Sequence, residues 1–349
     1  MKPTSIISLI VAVLLVIIGL VTCFIAQNMA QANGEQLFAD KADGNSTITE
    51  DIDLANLERI SVVFSSGKVN IYGNCDTLGS DHYSETSKIE LVNFRENYYT
   101  LNRSSNMLSF DETGDITSML KFWENGFSFK GMRYILNREQ IEEFLKRDED
   151  ADQKVKQINI YLTREATQAA SGEEGEDAPA KGLKQIQITA RGSAGCEVLI
   201  DNARTNTDYN ILSDHVKLTV RRVRTDSFIN VRSEADENAK TAEVRIDSSV
   251  LGYLNIRANE LNFSSSSLQC ANELKLTSET GKISIAAPSR LTDYNMDIRT
   301  SGRILINETD MSSPYTYVSG SGNPMITIES EEADVSCFEG SDTGSGDQP

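Results

Sequence analysis

Histidine is almost absent: His82 and His215 are the only two in 349 residues. Both stand among polar neighbours, and neither falls into a metal-ligand spacing. No nucleophile elbow, phosphate loop or paired-histidine motif occurs either, so the sequence carries no recognisable catalytic constellation, cofactor site or metal site. Cysteine is sparse as well. The five present (Cys23, Cys75, Cys196, Cys270 and Cys337) include no C-x-x-C pair, and they are too few for a disulfide scaffold. Cys23 falls in an apolar run, and the other four are expected to be small core or turn residues. Basic residues are the minority, 33 Lys and Arg against 52 Asp and Glu, for a net charge of −19. That balance argues against a nucleic-acid partner and repels the chain from anionic lipid headgroups.

Charge of either sign is missing from Pro3 to Gly34, and Ser5 to Ala26 is almost entirely Ile, Leu, Val, Ala and Phe. As a helix this stretch would span roughly 33 Å, enough for a bilayer core. The expectation is a retained transmembrane anchor over residues 1–34. Lys2 precedes it, while Glu35, Asp40 and Asp43 outnumber Lys41 just after it, which puts the N-terminus in the cytoplasm and the rest of the chain outside the cell. Two alternatives stay open. Ala30-Gln31-Ala32 resembles a signal-peptidase site, and Leu20-Val21-Thr22-Cys23 is a poor lipoprotein box.

What the sequence has in quantity is a repeat. Phe263, Ile285, Ile306 and Ile328 recur at steps of 22, 21 and 22, and Ile256, Leu276, Ile298 and Val318 at 20, 22 and 20. Each sits in a short alternating run such as Lys282-Ile283-Ser284-Ile285, the mark of a half-buried strand. The turns keep the same period, with Thr280-Gly281-Lys282 and Ser301-Gly302-Arg303 21 apart and Gly322-Asn323 at the next expected turn. Ser66-Gly67-Lys68-Val69-Asn70-Ile71 is an earlier copy. A strand pattern returning at this interval predicts a β-solenoid, each coil stacking its apolar file on the one before.

The expected organisation is an anchor at 1–34, a polar connector at 35–56, a β-solenoid domain at 57–338 and a disordered tail at 339–349. Two stretches interrupt the solenoid. Residues 115–152 hold a helical and aromatic insert, with a helix start at Asn137 and an apolar face of Ile141, Phe144 and Leu145. Residues 166–182 are a polar loop. The acidic run Asp148-Glu149-Asp150-Ala151-Asp152 lacks the Gly and terminal Glu of a calcium loop and reads as solvated linker.

The single N-terminal apolar helix, the polar connector, the Ser66–Ile71 strand pair and the recurring Ser/Thr-Gly-basic-Ile-x-Ile coils resemble the bacterial putative-adhesin domain of unknown function, over roughly Leu57 to Val335. The resemblance implies a membrane-anchored β-solenoid with no established enzyme activity and no catalytic residues to carry over. The function expected is a non-enzymatic surface module, adhesin-like or envelope-sensing. The rival is a polysaccharide-active β-helix enzyme, which would need acids converging at one register of successive coils; none repeats between 256 and 328. Aromatics are densest from Phe94 to Tyr134. Within that segment Phe122, Trp123, Phe127, Phe129 and Tyr134 are the candidate surface for an envelope glycan or protein partner, or else packing that closes one end of the solenoid.

Overall fold

The structure is a computed structural model that describes residues 47–51, 57–77, 82–94, 99–104, 106–112, 155–164, 182–236, 238–287 and 290–339. These belong to one compact unit, Thr47–Phe94, Tyr98–Thr113 and Val155–Pro349. The apolar segment, the residue 115–152 insert with Phe122, Trp123, Phe127, Phe129 and Tyr134, and the loop at 166–182 up to residue 181 lie outside the described residues. Among the described residues no helix is long and apolar enough to cross a membrane.

The described chain is mainly β. A first ladder is built from β2 (Arg59–Phe64), β6 (Met107–Glu112), β8 (Gln185–Ala190), β11 (Asp208–Ser213), β13 (Arg224–Arg232) and the 250–256 stretch of β14 (Ala239–Ser278). They pair in parallel in the order β6, β2, β8, β11, β13, β14. A second ladder runs from β7 (Gln157–Tyr161) through β3 (Gly67–Tyr72), β9 (Cys196–Asp201) and β12 (His215–Arg221) to residues 241–247 of β14, again all parallel. β10 (Arg204–Thr205) adds a short parallel pairing with the start of β13.

Parallel pairing places equivalent residues side by side, and here they are apolar, all of them aliphatic except Phe110. In the first ladder Phe110, Val62, Ile188, Ile211, Val231 and Ile256 share one rung position. In the second, Ile160, Ile71, Ile200, Val220 and Ile246 do so. All are buried, and they belong to a single apolar cluster. Burying each such side chain stabilises the fold by about 1.5–3 kcal/mol, and β-branched residues suit the pleated surface.

The Ser66-Gly67 turn is a corner and not a hairpin, since β2 joins the first ladder and β3 the second. Gly67 has φ 141°, and a Cβ there would strike the Lys156 carbonyl oxygen. At the opposite corner three of the second-ladder strands end on left-handed residues other than glycine: Asn202 (φ 54°), Arg222 (φ 56°) and Ser248 (φ 46°) follow the register partners Asp201, Arg221 and Asp247.

Both ends depart from the simple stack that the sequence predicts. The earliest strands of the two parallel ladders in chain order, β2 and β3, lie one rung inside β6 and β7. Antiparallel strands flank the outer rungs: β4 (Lys88–Val92) on β7, β1 (Thr47–Asp51) on β4, and β5 (Tyr99–Arg103) on β6. At the C-terminal end, β15 (Thr280–Ala287), β16 (Asn295–Arg299) and β17 (Ile304–Ile306) do not stack consecutively. β20 (Met325–Ser330) lies between β14 and β16, and β21 (Asp334–Glu339) between β15 and β17. β18 (Thr309–Met311) and β19 (Tyr315–Tyr317) pair antiparallel on the outer side.

This order corrects the predicted files. Phe263 faces Ile283, two residues short of Ile285. Ile285 and Ile306 do share a rung, but with Cys337 between them. Ile328 belongs to the other file, between Leu276 and Ile298. Val318 is 77% exposed and outside any rung. Inward positions recur every second residue, so periodicity alone cannot tell one inward position from the next, nor foresee a strand pair folding back.

Candidate functional site

With aliphatic residues facing inward, chemistry is confined to the outward positions. On the second ladder these form ordered rows. Gln157, Lys68, Glu197, Lys217 and Glu243 are register partners in sequence across five strands, so charge alternates along the row. The Lys68–Glu197 pair closes to 2.8 Å. The next row but one is Tyr161, Tyr72, Asp201, Arg221 and Asp247. Asp201, with its side chain 2% exposed, meets Arg221 Nη2 at 2.7 Å and Arg222 Nη2 at 2.8 Å. Arg222 reaches it because the left-handed corner turns that residue back over the strand end, and its Nε donates a further bond of 3.0 Å.

Beyond β7, β4 carries Lys88 and Glu90 into this face. Glu90 accepts from Lys88 Nζ at 2.7 Å, Tyr161 Oη at 2.9 Å and Asn159 Nδ2 at 3.4 Å. Lys88 Nζ also sits 4.7 Å from the Tyr161 ring centre. Burial raises the Glu90 pKa, but these donors and the Lys88 charge outweigh it and hold the carboxyl below its ordinary range. Burial, then the bond to Glu90, pushes the Tyr161 phenol up. His82 stacks on Tyr72 at 3.7 Å between ring centres, and Tyr72 lies 5.3 Å from Tyr161. His215 Nδ1 is 2.8 Å from Thr241 Oγ1. Neither histidine joins a group of metal-ligating residues, and no such group occurs among the described residues.

The first ladder turns a different face outward. Gln187, Asn210, Asn230 and Asn255 are successive register partners. Asn255 Nδ2 donates to Asn230 Oδ1 at 3.2 Å, and Asn230 Nδ2 to Asn210 Oδ1 at 3.4 Å, so the amides polarise in one direction. Asn255 Oδ1 ends the chain buried and without a hydrogen-bond partner. Beside this row Phe228 stacks on Tyr253, centroids 4.4 Å apart and 15° between planes, with Phe228 48% exposed. Asp208 Oδ1 accepts from the Phe228 backbone N–H at 3.0 Å. The combination, an exposed ring beside an amide row at the inter-strand spacing, with the Asp208 carboxylate engaged by the Phe228 backbone N–H, suits a flat, polar ligand without negative charge.

The four described cysteines are buried free thiols. Burial pushes Cys75 up to about 11 and Cys196, Cys270 and Cys337 up to about 12, so they stay protonated and unreactive at neutral pH. Of the aromatic segment, Phe94 and Phe110 are core, 5.0 Å apart edge to face, and Tyr99 stacks on Phe110 at 5.3 Å. These three are packing. The sequence reading missed both the Asp201–Arg221–Arg222 cluster and the Phe228–Tyr253 pair. Asp201 and Arg221 are 20 apart and pair in register across β9 and β12, within the 20–22 residue repeat of the sequence, and that spacing was the available signal.

No family model and no curated relative matches the chain. Solved structures with some likeness include a putative cell adhesion protein from Clostridium sporogenes (11% identity, TM-score 0.28, covering 84% of this chain and 99% of that one). Others are a putative lipid binding protein from Parabacteroides distasonis (11%, 0.26, 85% and 95%) and a putative adhesin from Bacteroides fragilis (12%, 0.26, 84% and 97%). At that identity and TM-score the likenesses carry no argument about this chain's activity.

Proposed function

We propose that the chain is a membrane-tethered β-solenoid serving as a non-enzymatic binding module of the cell envelope, and that its ligand is an uncharged glycan. The solenoid reading is supported by two parallel ladders whose strands alternate along the chain and share one apolar core. The tether reading is supported by the uncharged Pro3–Gly34 stretch and its flanking charges. The binding reading rests on one observation above the rest: Phe228, nearly half exposed and stacked on Tyr253 beside the amide row, in a chain of net charge −19. Sugar rings stack on exposed aromatic faces, and amides meet their hydroxyls and acetamides without demanding a charge.

The test is calorimetric titration of the full chain, in detergent, with chitotetraose as the probe. Saturable binding that Phe228→Ala with Tyr253→Ala abolishes supports the reading. No binding, or equal binding by the variant, overturns the glycan assignment. Cleavage of the probe into shorter sugars would favour the polysaccharide-active enzyme instead. The tether is tested separately: the chain should stay with membranes through carbonate washing, and release would refute it.

A further inference from the structure

The C-terminal strand pair is an insert. β20 makes parallel pairings on both edges, to residues 273–278 of β14 and to β16, and β21 does the same with β15 and β17. The segments on either side of it carry the same apolar register. Leu276 and Ile298 both face Ile328, and Ile285 and Ile306 both face Cys337. They are also sequence repeats of each other, 22 and 21 residues apart, so the slot between them is defined by the flanking coils and not by the chain that fills it. The slot is two inter-strand spacings wide, about 9.6 Å. Its occupant arrives through a surface connection, where Val318 is 77% exposed and a Cβ on Gly322 (φ 92°) would meet nothing within 4 Å.

We infer that Met325–Glu339 is an exchangeable strand pair, able to leave its own slot and fill that of a second copy of this chain. Exchange replaces every contact with its equivalent: the Ser278–Ser330 hydroxyl contact at 3.0 Å, the Thr300 Oγ1 bond to the Ala333 carbonyl at 2.7 Å, and the Glu332 N–H bond to the Glu279 carbonyl at 2.7 Å. The two states therefore differ mainly in linker strain and concentration, and crowding of copies on one surface favours the exchanged form. Only the crowding clause depends on the tether proposed above; the exchange does not.

The experiment uses full-length variants in detergent. The double variant S278C/S330C should close a disulfide within one chain, because Ser278 and Ser330 are register partners. The single variants S278C and S330C, mixed at high concentration, incubated in sub-denaturing urea and then oxidised, should form a disulfide-linked heterodimer whose yield rises with concentration. Ser278 is buried, so surface collision does not bring it to a partner's thiol. Failure of the double variant to close would overturn the placement of β20 beside β14. Closure without heterodimer, or S278C homodimers formed as fast as heterodimers, would overturn exchange.

Discussion

The outward faces of the two ladders rest on the same kind of apolar interior yet differ in chemistry, the second charged and the first built of amides beside an exposed aromatic ring. Each leaves a buried polar atom unpartnered. On the second ladder and the flanking β4, Asp201, Glu90, Lys88 and Tyr161 are tied into ion pairs and hydrogen bonds, although Arg221 Nε is left without a partner. On the first, Phe228 stands nearly half in solvent against Tyr253, and an amide row ends on a buried, unpartnered acceptor, Asn255 Oδ1. Parallel stacking leaves register free to slip by two residues wherever the inward file is uniform, and charge alternation across strands penalises such a slip. On that ground the second ladder is the face that fixes register, and the first is the one on which the proposed binding is to be tested.

The largest break should come at Asp201. Asp201→Ala leaves two arginines with no carboxylate between them at the strand end. Removing one partner of a buried pair costs about 3–5 kcal/mol, but both arginines are partly exposed, so a loss nearer 2–3 kcal/mol is expected. Urea denaturation checks it, and a loss under about 0.5 kcal/mol would show that the cluster does not hold the corner.

Next in size is the acid limb. The Glu90 pKa is depressed in the folded state, so its contribution is present above the unfolded value of about 4.5 and is lost as pH falls through the folded value. Wild-type stability should fall with a measurable slope below that pH. Glu90→Gln should be less stable at pH 7 and show a flatter slope on acidification. Parallel slopes for the two proteins would deny the network its role.

Much of the interior was legible in sequence. Alternation located β2, β3, β7, β12 and β13, and the Gly67 and Gly281 corners were placed by the positive φ that glycine tolerates; both have it, at 141° and 132°. The other corner was hardly legible, because Arg222 and Ser248 adopt left-handed conformations that their residue types do not announce, and Asn202 alone carries the enrichment that asparagine has there. Nor was the order of the strands, since Leu276 and Ile298 are correct neighbours by period and are separated only by the return of residues 325–339. The outward pairs were hidden for a related reason. Phe228 and Tyr253 are 25 residues apart and meet across a register shift between Thr225 and Phe228, so no fixed period links them.

Phe228→Ala sharpens the comparison from the open side. An exposed stacked pair is worth about 0.5–1.5 kcal/mol, and the ring is nearly half in water already, so melting should move little while chitotetraose binding is lost. The mirror variant, Tyr161→Phe on the second ladder, should weaken the fold and leave the probe bound. If both variants lower stability alike and neither affects binding, the two faces are equivalent and the division fails.

The smallest effect separates two members of one row. Asn230 donates to Asn210 and accepts from Asn255, so Asn230→Ala breaks two hydrogen bonds and should cost about 1–2 kcal/mol. Asn255 makes one of these bonds through Nδ2, while its Oδ1 is buried without a partner. Truncating Asn255 removes that unsatisfied acceptor along with the bond, and the two changes offset, so Asn255→Ala should lie within about 0.5 kcal/mol of wild type. Paired urea titrations read the difference. Equal losses at the two positions would mean that Asn255 Oδ1 is satisfied in solution, by water or by a ligand atom, and a gain in Asn255→Ala affinity for the probe would exclude the ligand.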